Sequence, residues 1–293
     1  MTDPATGGAG TAAAGSGAEP ATPPSEVDET GDLALLALAR DLAERAGVLV
    51  QERREVAVLT GSTKSSATDL VTDADRAAEQ AIVTGILAAR PQDAVLGEES
   101  AARSGTSGVR WIVDPIDGTT NYVYGVPAYA VSIAVERGGE VVAGVVHDPV
   151  ARVTYSARRG HGATCDGQPI SCSHRADLAT ALLGTGFSYS SARRARQAEL
   201  LLHVLPRVRD IRRFGAASLD LCAVATGRLD AYYEQGLQPW DLAAGALIAT
   251  EAGAVLGDLR GGPPSGEFTV AAGPALFGPL VQLLQEAGTP GTT

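Results

Sequence analysis

Apolar residues recur along this chain with two alternating periods. From residue 33 to about 51, Leu35, Leu36, Leu38, Leu42, Ala46 and Leu49 fall on one side at helical spacing, and Asp32 stands where an N-cap belongs. A second helix is predicted from Thr72 or Asp73 to about Arg90, where Pro91 stops it. Residues 94–96 and the run 111–113 read as buried strands. In the middle, strands at 131–136 and 141–147 flank Arg137-Gly138-Gly139-Glu140, a hairpin signal, and 152–157 with 162–165 suggest another. Thereafter strands at 181–184, 211–213, 230–233 and 268–271 alternate with helices at 192–208, 217–226, 241–251 and 274–286. No repeat period is evident. This order predicts a mixed α/β (α+β) protein of layered sheets and helices.

Composition narrows the picture. Residues 1–30 are mostly Ala, Gly, Thr, Pro and acids, with little to bury, and are expected to form a disordered tail. They lack the basic start and apolar core of a secretory signal, and no later stretch offers eighteen uninterrupted apolar residues. A soluble, cytoplasmic protein is the expectation. The net charge of −11 argues against a general nucleic-acid binder but allows a phosphorylated substrate if metal ions reverse the local sign. Cys165, Cys172 and Cys222 have no metal-ligand spacing and read as reduced thiols. Lys64 is the only lysine, in a loop near acids.

The segment Trp111-Ile112-Val113-Asp114-Pro115-Ile116-Asp117-Gly118-Thr119-Thr120-Asn121 carries the strongest chemical signal. An apolar strand delivers two carboxylates to its end, and Pro115 between them predicts a turn. Gly118 lets the backbone approach a ligand, and Thr119 adds a hydroxyl. Glu98 and Asp241 also stand at element ends in apolar surroundings. Taken singly, Asp241 is an ordinary helix cap, Glu98-Glu99 a solvated strand end and Asp114/Asp117 a turn. Taken together they suit cations: two carboxylates ~4 Å apart repel by about 4 kcal/mol at an effective dielectric near 20. Two Mg²⁺ would balance four acids, with room for a third, weaker ion beside phosphate. His147-Asp148-Pro149 reads as a strand-end turn, and Arg193, Arg194 and Arg196 as a solvated helix face.

Asp69-Leu70-Val71-Thr72-Asp73-Ala74-Asp75, Gly97-Glu98-Glu99-Ser100, the segment 111–121 and Trp240-Asp241-Leu242-Ala243-Ala244-Gly245 resemble, in order and spacing, the motifs of the inositol monophosphatase family. The resemblance covers roughly residues 31–288. It implies a layered α-β-α-β-α sandwich of the sugar-phosphatase type, with residues 31–180 supplying a metal- and phosphate-binding half and 181–288 completing the site. It also implies that Glu98, Asp114 and the Ile116 carbonyl hold one Mg²⁺, and that Asp114 bridges to a second held by Asp117 and Asp241. The Gly118 and Thr119 amides would cradle phosphate. Glu98 and Thr119, the latter paired with Asp75, would orient or deprotonate the attacking water, and Lys64 would tune the metals. Asp117, Gly118, Thr119, Gly215, Ala216, Ala217, Glu234 and Asp241 would contact substrate. Two departures from the family pattern, Ala216 for a common Ser or Thr and Tyr124 for a common His, weaken the case for inositol phosphate as the preferred substrate.

The implied activity is Mg²⁺-dependent hydrolysis of myo-inositol monophosphates, lithium-sensitive, in a homodimer. The alternatives are hydrolysis of histidinol phosphate or fructose 1,6-bisphosphate, and a non-catalytic regulatory role, for instance on transcription machinery. No nucleic acid or membrane partner is expected.

Overall fold

A computed structural model of the chain describes Met1 and residues 29–60, 62–63, 70–71 and 73–288, with side chains placed over 31–54 and 73–288. Residues 2–28 of the expected tail, the loop bearing Lys64, and Thr72 lie outside the described residues.

The first part of the chain runs α1 (Glu29–Thr60), β1 (Ser62–Thr63), β2 (Leu70–Val71), α2 (Asp73–Ala89), β3 (Ala94–Gly97), β4 (Val109–Asp117) and α3 (Thr119–Tyr124). It continues through β5 (Ala130–Arg137), β6 (Glu140–Asp148), β7 (Val153–Arg158), β8 (Ala163–Cys165) and β9 (Gln168–Pro169). The later part comprises β10 (Leu182–Thr185), α4 (Ser191–Val204), β11 (Asp210–Arg212), α5 (Ala217–Ala225) and β12 (Ala231–Glu234). It ends with α6 (Pro239–Glu251), β13 (Val255–Gly257), β14 (Thr269–Ala272) and α7 (Pro274–Glu286). Strands β3 to β9 form a seven-stranded mixed sheet in chain order, and β11-β10-β12-β14-β13 a five-stranded mixed sheet.

Side-chain alternation on β4 sets the layers. Trp111 and Val113 face α1 and α2, joining Leu35, Leu42, Ile82 and Ile86, while Ile112 faces α5 and α6, joining Leu221, Leu247 and Ile248. Buried on both faces, the strand reads as a continuous apolar run. The five-stranded sheet covers the other side of α5 and α6 through Tyr232 and Ala271. Its far face is closed by Leu200 and Val204 of α4 and by Leu276, Leu280 and Leu284 of α7. The result is the α-β-α-β-α sandwich.

Several expectations are corrected. Asp32 does not cap α1; it lies inside the helix, buried, paired with Arg137 of β5 at 2.8 Å. The helix also runs to Thr60 rather than Gln51, because no glycine or proline interrupts it between Gly47 and Gly61. Pro115 makes no turn. Asp114 pairs with Ser132 and Asp117 with Ala130, so three steps on β4 oppose two on β5 and the extra residue forms a bulge. Helix α4 stops at Val204, since Pro206 forces the next residues into a 3₁₀ turn. The expected hairpin is present: Arg137 pairs with Glu140 across Gly138 and Gly139, whose φ of 61° and 86° fit a two-residue loop. His147 and Asp148 end β6, and the turn that follows is held by an Asp148 oxygen accepting the amides of Val150 and Ala151. All three cysteines are free, and Cys172 and Cys222 are buried.

Candidate active site

The β4 bulge places Asp114 and Asp117 on the same wall, and the start of α6 brings Asp241 to them. Carboxylate oxygens of these three lie within 4.8 Å of one another. They line a cavity of about 490 Å³ together with Glu98, Ile116, Gly118, Thr119, Gly215, Ala217 and Glu234. Glu98 falls outside the tightest trio but lines the same cavity, and its charge helps to raise the Asp114 carboxyl. Ala216 is 1% exposed and does not line the cavity; it packs close to Gly118, where an added Cβ would lie 3.2 Å from the Ala216 methyl. Tyr124, 77% exposed at the end of α3, does not line it either.

Local hydrogen bonds hold each acid. Asp117 accepts the amide and hydroxyl of Ser218, at 2.7 and 2.6 Å, and the amide of Ala217 at 3.3 Å, where α5 begins. Asp241 is the third residue of α6 and accepts the Gln238 amide at 2.7 Å, so it serves the helix and the acid cluster together. Thr119 Oγ1 lies 3.1 Å from both Asp75 Oδ1 and the Ile116 carbonyl oxygen, and Asp75 is fully buried on α2. Asn121 donates to the carbonyls of Ala128 and Phe214, both at 2.7 Å, fastening the Gly215 loop beside Gly118.

Burial sets the electrostatics. It drives the Asp114 carboxyl well above its usual range, and the fields of Glu98, Asp117 and Asp241 push the same way. Asp241 is raised by burial and then by Asp117. Burial takes Asp117 to about 6 despite the Ser218 bonds that oppose it. Glu234 rises to about 7, burial outweighing the hydrogen bond from the Tyr232 hydroxyl and the charge of Arg213. Such a set of hard oxygen donors fits a divalent cation such as Mg²⁺, whose charge reverses the repulsion.

A pH effect follows. With Asp117 and Glu234 titrating near 6 and 7, the native ion-free protein keeps protons that the unfolded chain has lost above its ordinary carboxylate range. That stabilisation is present at acid pH and disappears as pH rises through 6–7. Scanning calorimetry in chelator is expected to show the midpoint falling by several degrees between pH 5 and 8. A midpoint that rises over this window contradicts the electrostatics.

Some contributors were missed in the sequence. Glu79 is buried, and its carboxylate accepts the Glu99 amide at 2.8 Å, anchoring the segment that carries Glu98. Its signal was an acid on the apolar stripe of α2, four residues after Asp75. Gly97 must remain bare there: an added Cβ would lie 2.5 Å from the Glu79 carboxyl carbon. Gly97→Ala is expected to cost about 1–3 kcal/mol, read from the denaturant midpoint; a neutral result would show that Glu79 yields freely. Arg193, expected on a solvated helix face, lines the cavity, as does Arg213.

The model of the Inositol monophosphatase family matches residues 33–289, and the chain belongs to that family. It is 47% identical over 271 residues to the inositol-1-monophosphatase SuhB of Mycobacterium tuberculosis strain H37Rv, covering 86% of this chain and 93% of that one. It is 38% identical over 256 residues to the Nus factor SuhB of Pasteurella multocida, covering 86% and 96%. The crystal structure of the extragenic suppressor protein suhB from Bartonella henselae superposes with a TM-score of 0.81 at 36% identity, covering 86% of this chain and 99% of that one. Membership supports a phosphatase acting on phosphorylated small molecules, in a family that is generally metal-dependent. Among the described residues, no helix is long and apolar enough to cross a membrane.

Proposed function

We propose that the protein is a Mg²⁺-dependent phosphomonoesterase that hydrolyses myo-inositol monophosphates to inositol and phosphate. The observation that carries this reading is the convergence of Asp114, Asp117 and Asp241 on one cavity wall, with the Thr119–Asp75 pair behind it. Glu98, Asp114 and the Ile116 carbonyl would hold one Mg²⁺, and Asp114, Asp117 and Asp241 a second, with a third near Glu98. Bound Mg²⁺ supplies a lowered pKa for water and neutralises charge on the phosphoryl and leaving oxygens.

The protein's own groups do the rest. Thr119 has one hydroxyl proton and two acceptors within reach, Asp75 and Ile116. A carboxylate is a stronger acceptor than a backbone carbonyl, so the Thr119 hydroxyl donates to Asp75 and its oxygen can present a lone pair to the attacking water. Glu98 accepts a proton from the same water. The Gly118 and Thr119 amides orient phosphate. Glu234, Gly215 and Ala217, which line the cavity, would contact the polyol. The reading includes a cytoplasmic homodimer inhibited by lithium.

A panel of myo-inositol 1-phosphate, histidinol phosphate and fructose 1,6-bisphosphate with purified protein and Mg²⁺ tests the choice. Inositol phosphate is expected to give the highest kcat/KM; turnover far below that of histidinol phosphate would overturn it. The name of the Pasteurella relative favours a second reading, a transcription-associated binding protein. That role would survive Asp114→Asn, whereas hydrolysis would not.

A further inference from the structure

Helix α2 carries two acids on the stripe that it buries. Asp75 and Glu79 stand four residues apart, 0% and 2% exposed, and the stripe continues through Ile82 and Ile86 into the core shared with α1 and β4. Carboxylates are costly at such positions, and each of these has a defined contact. Asp75 lies 3.1 Å from the Thr119 hydroxyl, and Glu79 Oε2 accepts the Glu99 amide at 2.8 Å. Gly97 leaves the room that the second contact needs, since an added Cβ would stand 2.5 Å from Glu79 Oε2.

The bond from Glu99 holds the peptide unit that follows the Glu98 Cα. The unit before it is held as well, because the Glu98 amide donates to the Val113 carbonyl at 3.2 Å. With both flanking peptide planes fixed, the backbone of Glu98 has little freedom left. The sheet alone does not relate Glu98 to Thr119. The β3–β4 ladder ends where Gly97 pairs with Val113, and β4 then bulges between Asp114 and Asp117 before Thr119 opens α3. Helix α2 reaches both sides of that break, with its two acids about 6 Å apart along the axis.

On the reading that Glu98 and Thr119 act on the attacking water, we infer that Glu79 is a positioning residue for hydrolysis. By holding the peptide after Glu98 it sets that carboxylate at the spacing from Thr119 that one shared water requires. Asp75 and Glu79 thus make α2 a single template for both groups.

Glu79→Met keeps the length of the side chain and removes the acceptor, whereas Glu79→Gln keeps an acceptor oxygen. With Mg²⁺ and myo-inositol 1-phosphate, the Met variant of the full chain is expected to lose about 10- to 100-fold in kcat with KM nearly unchanged. The Gln variant should recover most of that loss. In a Thr119→Val background the Met substitution should cost far less, because the water has already lost its alignment. A loss confined to KM, or losses that multiply in this cycle, overturns the role. Gly97→Ala, which displaces the Glu79 carboxylate instead of removing it, should repeat the kcat loss and decides the matter if the Met variant does not fold. In metal-free protein, hydrogen exchange at the Glu99 amide should quicken in the Met variant while Ile82 and Ile86 exchange as in the wild type; unchanged exchange at Glu99 overturns the contact. If the wild type hydrolyses no phosphomonoester, the phosphatase reading fails, and calorimetric Mg²⁺ binding decides the placement of Glu98 separately. Weaker binding in the Met variant supports it, and equal binding overturns it.

Discussion

Asp114→Asn is expected to lower hydrolysis on the order of 10³-fold and, in the same protein, to raise the thermal midpoint measured in chelator. The two signs share one cause. Asp114 is 1% exposed and faces Glu98, Asp117 and Asp241, so its charge is a liability until a cation answers it. The amide removes that repulsion at nearly constant volume, and a side-chain oxygen can still accept the Ile116 amide, now at 3.0 Å from Asp114 Oδ1. What is lost is the negative charge that would hold cations over the substrate phosphate. Mg²⁺ should therefore raise the wild-type midpoint strongly and the variant's little. A variant that is both inactive and less stable in chelator would mean that Asp114 is an architectural acid.

Thr119→Val is expected to reduce kcat by about 10²–10⁴-fold with little change in KM. Valine keeps the shape of threonine but has no hydroxyl to pass Asp75's influence to water. Thr119→Ser should restore much of the rate, because the 3.1 Å contact with Asp75 needs only the oxygen. Asp75→Asn combined with Thr119→Val should cost little more than either alone, since the two act as one unit. Additive losses in that double-mutant cycle would separate them. A rise in KM with unchanged kcat would reduce Thr119 to a binding contact.

How much of this was readable in the sequence depends on the range over which each signal acts. The apolar run at 111–113, the glycine pair at 138–139 and the helix 274–286 are local patterns, and each appears in the fold where its residues indicate. Pro115 misled because a proline that breaks a ladder can make a turn or a bulge, and only the pairing with Ser132 and Ala130 decides. Asp32 misled similarly: its partner Arg137 is 105 positions away in the chain, beyond any local motif. The short edge strand β13 was missed, as three residues close to Gly253 carry almost no periodic signal.

The acids of the candidate site were legible because carboxylates in apolar surroundings are costly and need a reason. The groups that hold those acids were not. Ser218 secures Asp117 from a residue 101 positions away, and Glu79 anchors Glu99 across the gap between α2 and β3. Arg193 looked like surface charge because only the folded chain brings that end of α4 to the cavity. Asp241 could be read as a helix residue or as a member of the acid cluster, and geometrically it is both.

The most direct test of the central claim is phosphate release from myo-inositol 1-phosphate by chelator-treated protein, with Mg²⁺ added back in steps. The account predicts no release without metal and a rate that climbs with Mg²⁺ to saturation. Release at full rate in chelator, or none at any Mg²⁺ concentration, would contradict it.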